Sequence, residues 1–201
     1  MSRLTAANDF HGPLAPECER NIRDAFSSIL RNLGIDTAND PNTRETAERY
    51  ARMLLEVTSG RYTTKPKMTT FPNTRGVDDM YTVGPLDVRS LCSHHFVPIV
   101  GKCWIGIVPG TQLIGLSKFG RIVDWYCARP QIQEELTNQI ADELTTLLQD
   151  ARGVAVVVDA HHMCMSWRGA KQTQAVMRTN SMSGVFLTDA ACRAEFLHGI
   201  R

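Results

Sequence analysis

Apolar residues recur every three or four positions in two early stretches of the chain, then begin to alternate near residue 80. In "APECERNIRDAFSSILRNLGID", Ile22, Phe26, Ile29, Leu30 and Leu33 fall on one helical face, and Gly34 follows as a stop. "DPNTRETAERYARMLLEVTSG" repeats the pattern with Tyr50, Met53, Leu54 and Val57, opened by Asp40-Pro41 and closed by Gly60. The polar, proline-bearing "RYTTKPKMTTFPNTRG" reads as a connector. "MYTVGPLDVRSL" and "FVPIVGKCWIGIVPG" then alternate as strands do, and Pro109-Gly110 ends the second. "GLSKFGRIVDWYCAR" stacks Phe119, Ile122, Val123 and Tyr126 on a helical face. In "RPQIQEELTNQIADELTTLLQDARG", Pro130 suits a first turn and Ile132, Leu136, Ile140 and Leu147 line one side. "VAVVVDAHHMCMSW" and "VMRTNSMSGVFL" predict two more strands, and Thr188 a cap for a short final helix.

The order is helix-helix, strand-strand, helix-helix, strand-strand, helix. Strands that follow one another closely favour an antiparallel sheet, so the prediction is an α+β fold with paired helices on one face. The change of pattern divides the chain into an N-terminal helical extension, residues 1–70, and a sheet-bearing domain, residues 71–201.

Composition narrows the function classes. The 201 residues are 43% hydrophobic and 21% charged, ordinary for a globular protein, with a net charge of +1. Without a basic surplus or a lysine–arginine run, a nucleic-acid partner held by bulk electrostatics is not expected. No segment approaches the ~18 apolar residues of a membrane span, and "MSRLTAANDFHGPLAPE" lacks the apolar core of a signal peptide. The six cysteines follow no disulfide framework, which suits reduced thiols in a cytoplasmic protein.

Two short stretches carry the chemistry. "LCSHHFVPIV" crowds Cys92, His94 and His95, and "DAHHMCMSWRG", about seventy residues on, holds His161, His162 and Cys164. On a strand His162 and Cys164 share a face and His161 points away. Cys92 and His95 form a C-x-x-H pair, a spacing that lets both residues of a turn reach one metal ion. Thiolates with imidazoles suit zinc better than the oxygen-seeking calcium or magnesium. The competing reading is a thiol–imidazole nucleophile pair. A structural zinc would close with four ligands, for instance Cys92, His95, His162 and Cys164; a catalytic one keeps three and a water. Spacing does not choose between them, although the extra imidazoles favour the second. The glutamate and P-C-x-x-C of a zinc deaminase are absent.

Between the clusters lie residues suited to an anionic substrate. "GLSKFGR" offers Ser117, Lys118 and Arg121 at a helix start, "RPQIQEE" offers Gln133 and Glu134, and Arg168 follows Cys164 by four positions. Each taken singly also fits a solvated helix face or a helix-start charge. There is no G-x-x-x-x-G-K-[ST] phosphate loop.

In combination, "LCSHHFVPIVGK", "IGLSKFGRIVDWYCARPQIQEELTNQI", "VAVVVDAHHMCMSWRG" and "SGVFLTDAACRAEFL" resemble the GTP cyclohydrolase I family over most of residues 80–201. The resemblance implies conversion of GTP and water to formate and 7,8-dihydroneopterin triphosphate. It also implies a tunnelling fold that assembles into a toroidal homodecamer. The family's zinc ligands fall on Cys92, His95 and Cys164, and its acid–base histidines on His94 and His162. Its GTP-binding or assisting positions fall on Ser117, Lys118, Arg121, Gln133, Glu134 and Arg168. A carboxylate at Glu134 would accept from guanine N1–H and the 2-amino group together, a pairing adenine cannot reproduce. Two departures stand out: Ser93 occupies a place where the family usually has glutamate, and "KQTQAVMRTNSMSG" differs from the threonine-rich stretch expected there. Two other readings share these residues, a related enzyme acting on another purine or pterin and a non-catalytic assembly protein stabilised by a four-ligand zinc.

Overall fold

The computed structural model describes residues 12–200, in two compact units that meet between Thr64 and Lys65. In the first unit, α1 (Cys18–Asn32) and α2 (Thr46–Val57) pair through a stacked Phe26–Tyr50 contact with ring centroids 3.7 Å apart. Gly34 ends α1 as expected, at a φ of +74° that suits a residue without Cβ. The second helix starts later than Asp40-Pro41 suggests. Asp36 accepts from the amides of Ala38 and Asn39, and Asp40 from that of Asn42, so these side chains hold the segment in turns until Thr46.

The second unit carries the sheet. Its strands are β1 (Thr70–Pro72), β2 (Tyr81–Cys92), β3 (Pro98–Val108), β4 (Gln112–Ile114), β5 (Pro130–Gln131), β6 (Gly153–His162) and β7 (Met177–Met182). β1 and β4 form a small ribbon of their own. The main sheet runs β5-β2-β3-β6-β7, antiparallel throughout except where β5 adds two parallel pairs beside the end of β2. The helices are α3 (Leu116–Cys127), α4 (Gln133–Leu147), α5 (Met163–Ser166), α6 (Val185–Thr188) and α7 (Ala190–Gly199). The α+β prediction holds, with α3 and α4 packed as a pair on one sheet face.

Alternation along the strands explains the layering. Ile99, Cys103, Ile105 and Ile107 of β3 and Val154, Val156 and Val158 of β6 point one way, into a core with Phe119, Ile122, Leu136, Ile140 and Leu144 of α3 and α4. Ala155 and Val157 point the other way and meet Phe186 and Phe196, so α6 and α7 cover one end of the opposite face. Lys65 is tied to the helix pair: its ammonium lies 2.8 and 2.9 Å from the buried Glu143 carboxylate, which also accepts from Tyr126 Oη–H at 3.0 Å.

Further local expectations change: the strand expected through Leu187 ends at Met182, and Val185–Thr188 forms α6. Pro130 lies in β5, and α4 begins only at Gln133. The strand expected through Trp167 stops at His162, because the chain turns into α5 there. Asp189, not Thr188, caps the last helix, accepting from the amides of Ala191 and Cys192.

Candidate metal centre and substrate site

β2 delivers Cys92, 3% exposed, to the end of the sheet, and a tight turn follows. The Phe96 amide donates back to the Cys92 carbonyl, and the Cys92 amide to that of Val97. Phe96 closes this turn at a φ of +53°, an uncommon conformation for a bulky side chain. The turn presents His94 and His95 at the surface, with His94 Nδ1 3.7 Å from Cys92 Sγ. Ser93 faces solvent and uses its amide on the Gln131 carbonyl.

β3 and β6 bring in the second stretch. Ile99 pairs with His162, so the end of β6 lies beside the turn, and α5 then folds Cys164 over it. One donor atom each from Cys92, His95 and Cys164 lies within 4.8 Å of the others, a group able to hold a metal ion. Its approach to Cys92 depends on the α5 turn and not on strand alternation. Burial first, and then the hydrogen bond and charge of Cys92, push the Cys164 thiol up. Two thiols so placed disfavour joint ionisation unless a cation lies between them.

His162 is half-buried, and its Nε2 lies 2.7 Å from Gln133 Oε1. Burial pushes its pKa down, while the nearby Glu134 carboxylate pushes it partly back up. Glu134 itself faces solvent at the start of α4. Arg168 donates from Nη1 to His95 Nε2 at 2.9 Å. Alternation does hold for His161, which lines a groove on the other sheet face with Asp87, Lys102 and Asp159.

Ser117 sits elsewhere. At the start of α3 it lines a second groove with Thr82, Val83, Gly84, Pro85 and Leu86, the bulged portion of β2. Lys118 is its neighbour and Arg121 lies one turn on, exposed. From Gly84 to Cys92 the strand spans about 23 Å, seven ladder steps at ~3.3 Å once the bulge is discounted. The predicted residues therefore form two groups within one chain. Cys92, His94, His95, His162, Cys164, Gln133, Glu134 and Arg168 gather at one end of the sheet; Ser117, Lys118 and Arg121 gather toward the other.

Gln133 is set apart from the other predicted substrate residues by its burial. Expected at the substrate, it is 0% exposed. It lies with Leu136, Thr137, Ile140 and Leu144 on the buried stripe of α4. That polar residue on an apolar stripe was the available signal, and Thr137 and Thr179, which bond to it, carried none.

A family model for GTP cyclohydrolase I matches residues 22–201. The chain is 40% identical over 187 residues to GTP cyclohydrolase 1 of Vibrio cholerae serotype O1, covering 92% of this chain and 85% of that one. It is 38% identical over 183 residues to GTP cyclohydrolase 1 of Coxiella burnetii, at 90% and 97% coverage. With GTP cyclohydrolase 1 of Edwardsiella ictaluri it shares 40% identity over 192 residues, at 94% and 86% coverage. The solved structure of the archaeosine synthase QueF-Like in the apo form is similar at a TM-score of 0.41 and 14% identity, over 60% of this chain and 97% of that one, too little to bear on fold or function.

Proposed function

This chain belongs to the GTP cyclohydrolase I family and is an enzyme of it, and we propose that it opens the guanine ring of GTP at C8, releasing formate and forming 7,8-dihydroneopterin triphosphate. The convergence of Cys92, His95 and Cys164 beside His162 carries this reading. Two sulfur donors and one imidazole fit zinc, and as a set of three they leave a place for water. A zinc ion held there would lower the pKa of that water toward ~7 and make it a nucleophile at neutral pH.

The chain's own side chains supply the remaining chemistry. Guanine C8 resists water until N7 is protonated, and His162 is the donor for that step, since a tuned imidazole exchanges protons near neutral pH. His94, beside Cys92, is the second proton carrier. Glu134 accepts from N1–H and the 2-amino group of guanine, which selects guanine over adenine. Arg168, whose guanidinium donates to His95 Nε2 at 2.9 Å, lies beside the donor group and is placed to bind the substrate's anionic portion. Lys118 and Arg121, with Ser117 beside them, take the triphosphate.

The separation of the two residue groups along β2 supports a site completed by a second copy of the chain, and hence a homo-oligomer, the decamer of the family. All six cysteines are free, and no described helix is long and apolar enough to cross a membrane, which supports the cytoplasm as its place. Formate release from GTP by the zinc-loaded protein tests the whole reading. No formate, or full activity and metal content in Cys164→Ala, overturns it.

A further inference from the structure

The Gln133 side chain is locked by its surroundings. Its Nε2 lies 3.0 Å from the Val158 carbonyl, 2.9 Å from the Met177 carbonyl and 3.0 Å from Thr179 Oγ1. Carbonyl oxygens only accept, so this end of the amide must be the NH₂. Turning it over would set Oε1 against two backbone oxygens. The hydroxyls agree. Thr137 donates to the Gln133 backbone carbonyl at 2.8 Å, so the proton in the 2.6 Å Thr137–Thr179 contact belongs to Thr179. Thr179 Oγ1 is then left to accept from Gln133. Oε1 is therefore the atom 2.7 Å from His162 Nε2, and it can only accept.

A neutral imidazole has one N–H, and here it must lie on Nε2. We propose that Gln133 is a positioning residue that holds His162 in the Nε2–H tautomer, so that His162 exchanges protons through Nδ1 alone. The catalytic consequence rests on the proton-transfer role proposed above; the tautomer does not. A bond between two partly or wholly buried groups is costly to break, because Oε1 would be left without a donor.

The ¹⁵N shifts of the His162 ring in zinc-loaded protein at about pH 8, where an ordinary histidine is neutral, test the tautomer directly. The resonance is assigned by its loss in His162→Gln. Nε2 should be the protonated nitrogen and Nδ1 the bare one. Gln133→Met, similar in length and without the acceptor, should populate Nδ1–H. It should also lower kcat on the order of tenfold or more while leaving KM for GTP nearly unchanged. Thr179→Val keeps both carbonyl partners of Gln133 and should keep the tautomer and kcat. An Nδ1–H imidazole in the wild type overturns the inference, and that measurement stands whether or not Gln133→Met folds. So does a Gln133→Met protein whose KM rises while kcat is unchanged, because that makes Gln133 a substrate contact. Failure to release formate would sink the functional reading, while the nitrogen spectrum would still decide the tautomer.

Discussion

Two variants inactive for different reasons should rescue each other when their chains assemble together. His162→Ala removes the proposed proton carrier at the end of β6, and Lys118→Ala removes a cation at the start of α3. The groups to which they belong are separated along β2 by about 23 Å, from seven ladder steps at ~3.3 Å each. That is farther than a lysine side chain reaches, which supports the proposed sharing of each pocket between two chains. If each pocket takes one group from each of two neighbouring chains, a random equal mixture places two intact groups at about one quarter of the pockets. The variants should be refolded together, separated by size and assayed for formate. About a quarter of wild-type activity is expected, against a background from either variant alone. Glu134→Ala is the control. Glu134 shares the His162 end of the sheet, so its mixture with His162→Ala should recover nothing beyond either variant. Mixed oligomers of His162→Ala and Lys118→Ala that stay inactive would refute the split site. Equal recovery with the Glu134→Ala pairing would show that the division between groups is drawn in the wrong place.

Cys164→Ala should lose its metal, read by elemental analysis as a fall from about one zinc per chain, because only two donors remain. His162→Ala should keep zinc and lose ~10²–10⁴-fold in kcat; loss of the metal would instead mean a closed four-ligand site. Glu134→Ala should weaken GTP binding by ~1–3 kcal/mol while ATP stays poor, by calorimetric titration. Gly101→Ala should destabilise the fold by on the order of 3 kcal/mol in a denaturant titration. Its Cβ would lie 2.0 Å from the Asp159 carbonyl oxygen and 2.6 Å from Ala160 Cα, both in the paired strand.

Long periodic segments were legible in the sequence. Ile122 and Val123, or Val154 and Val156, declare their elements because burial repeats at the element's own period, and one repeat constrains the next. The short pieces were not. β5 has two residues and α5 four, too few for a period, and both form because neighbouring strands and turns hold them. The donor types were also legible: cysteine and histidine in two clusters already point to a soft metal. What the chain alone left open was which residues meet. Cys164 reaches Cys92 because β3 pairs with β6 at Ile99–His162 and the chain then turns into α5, and neither step is encoded in the spacing of the second cluster. Ser117 and Lys118 were legible as residues suited to an anion, but only the fold shows that α3 starts toward the far end of β2 from Glu134. Gln133 read as a substrate contact, but whether a polar side chain at a helix start faces a ligand or a neighbour depends on what packs over it. Here β6 and β7 pack over it and supply two carbonyls and a hydroxyl, so the amide turns inward to His162. Residue type determines what a side chain can bind; only the packing of elements distant in sequence determines what it does bind, because contacts depend on distances that local periodicity does not contain.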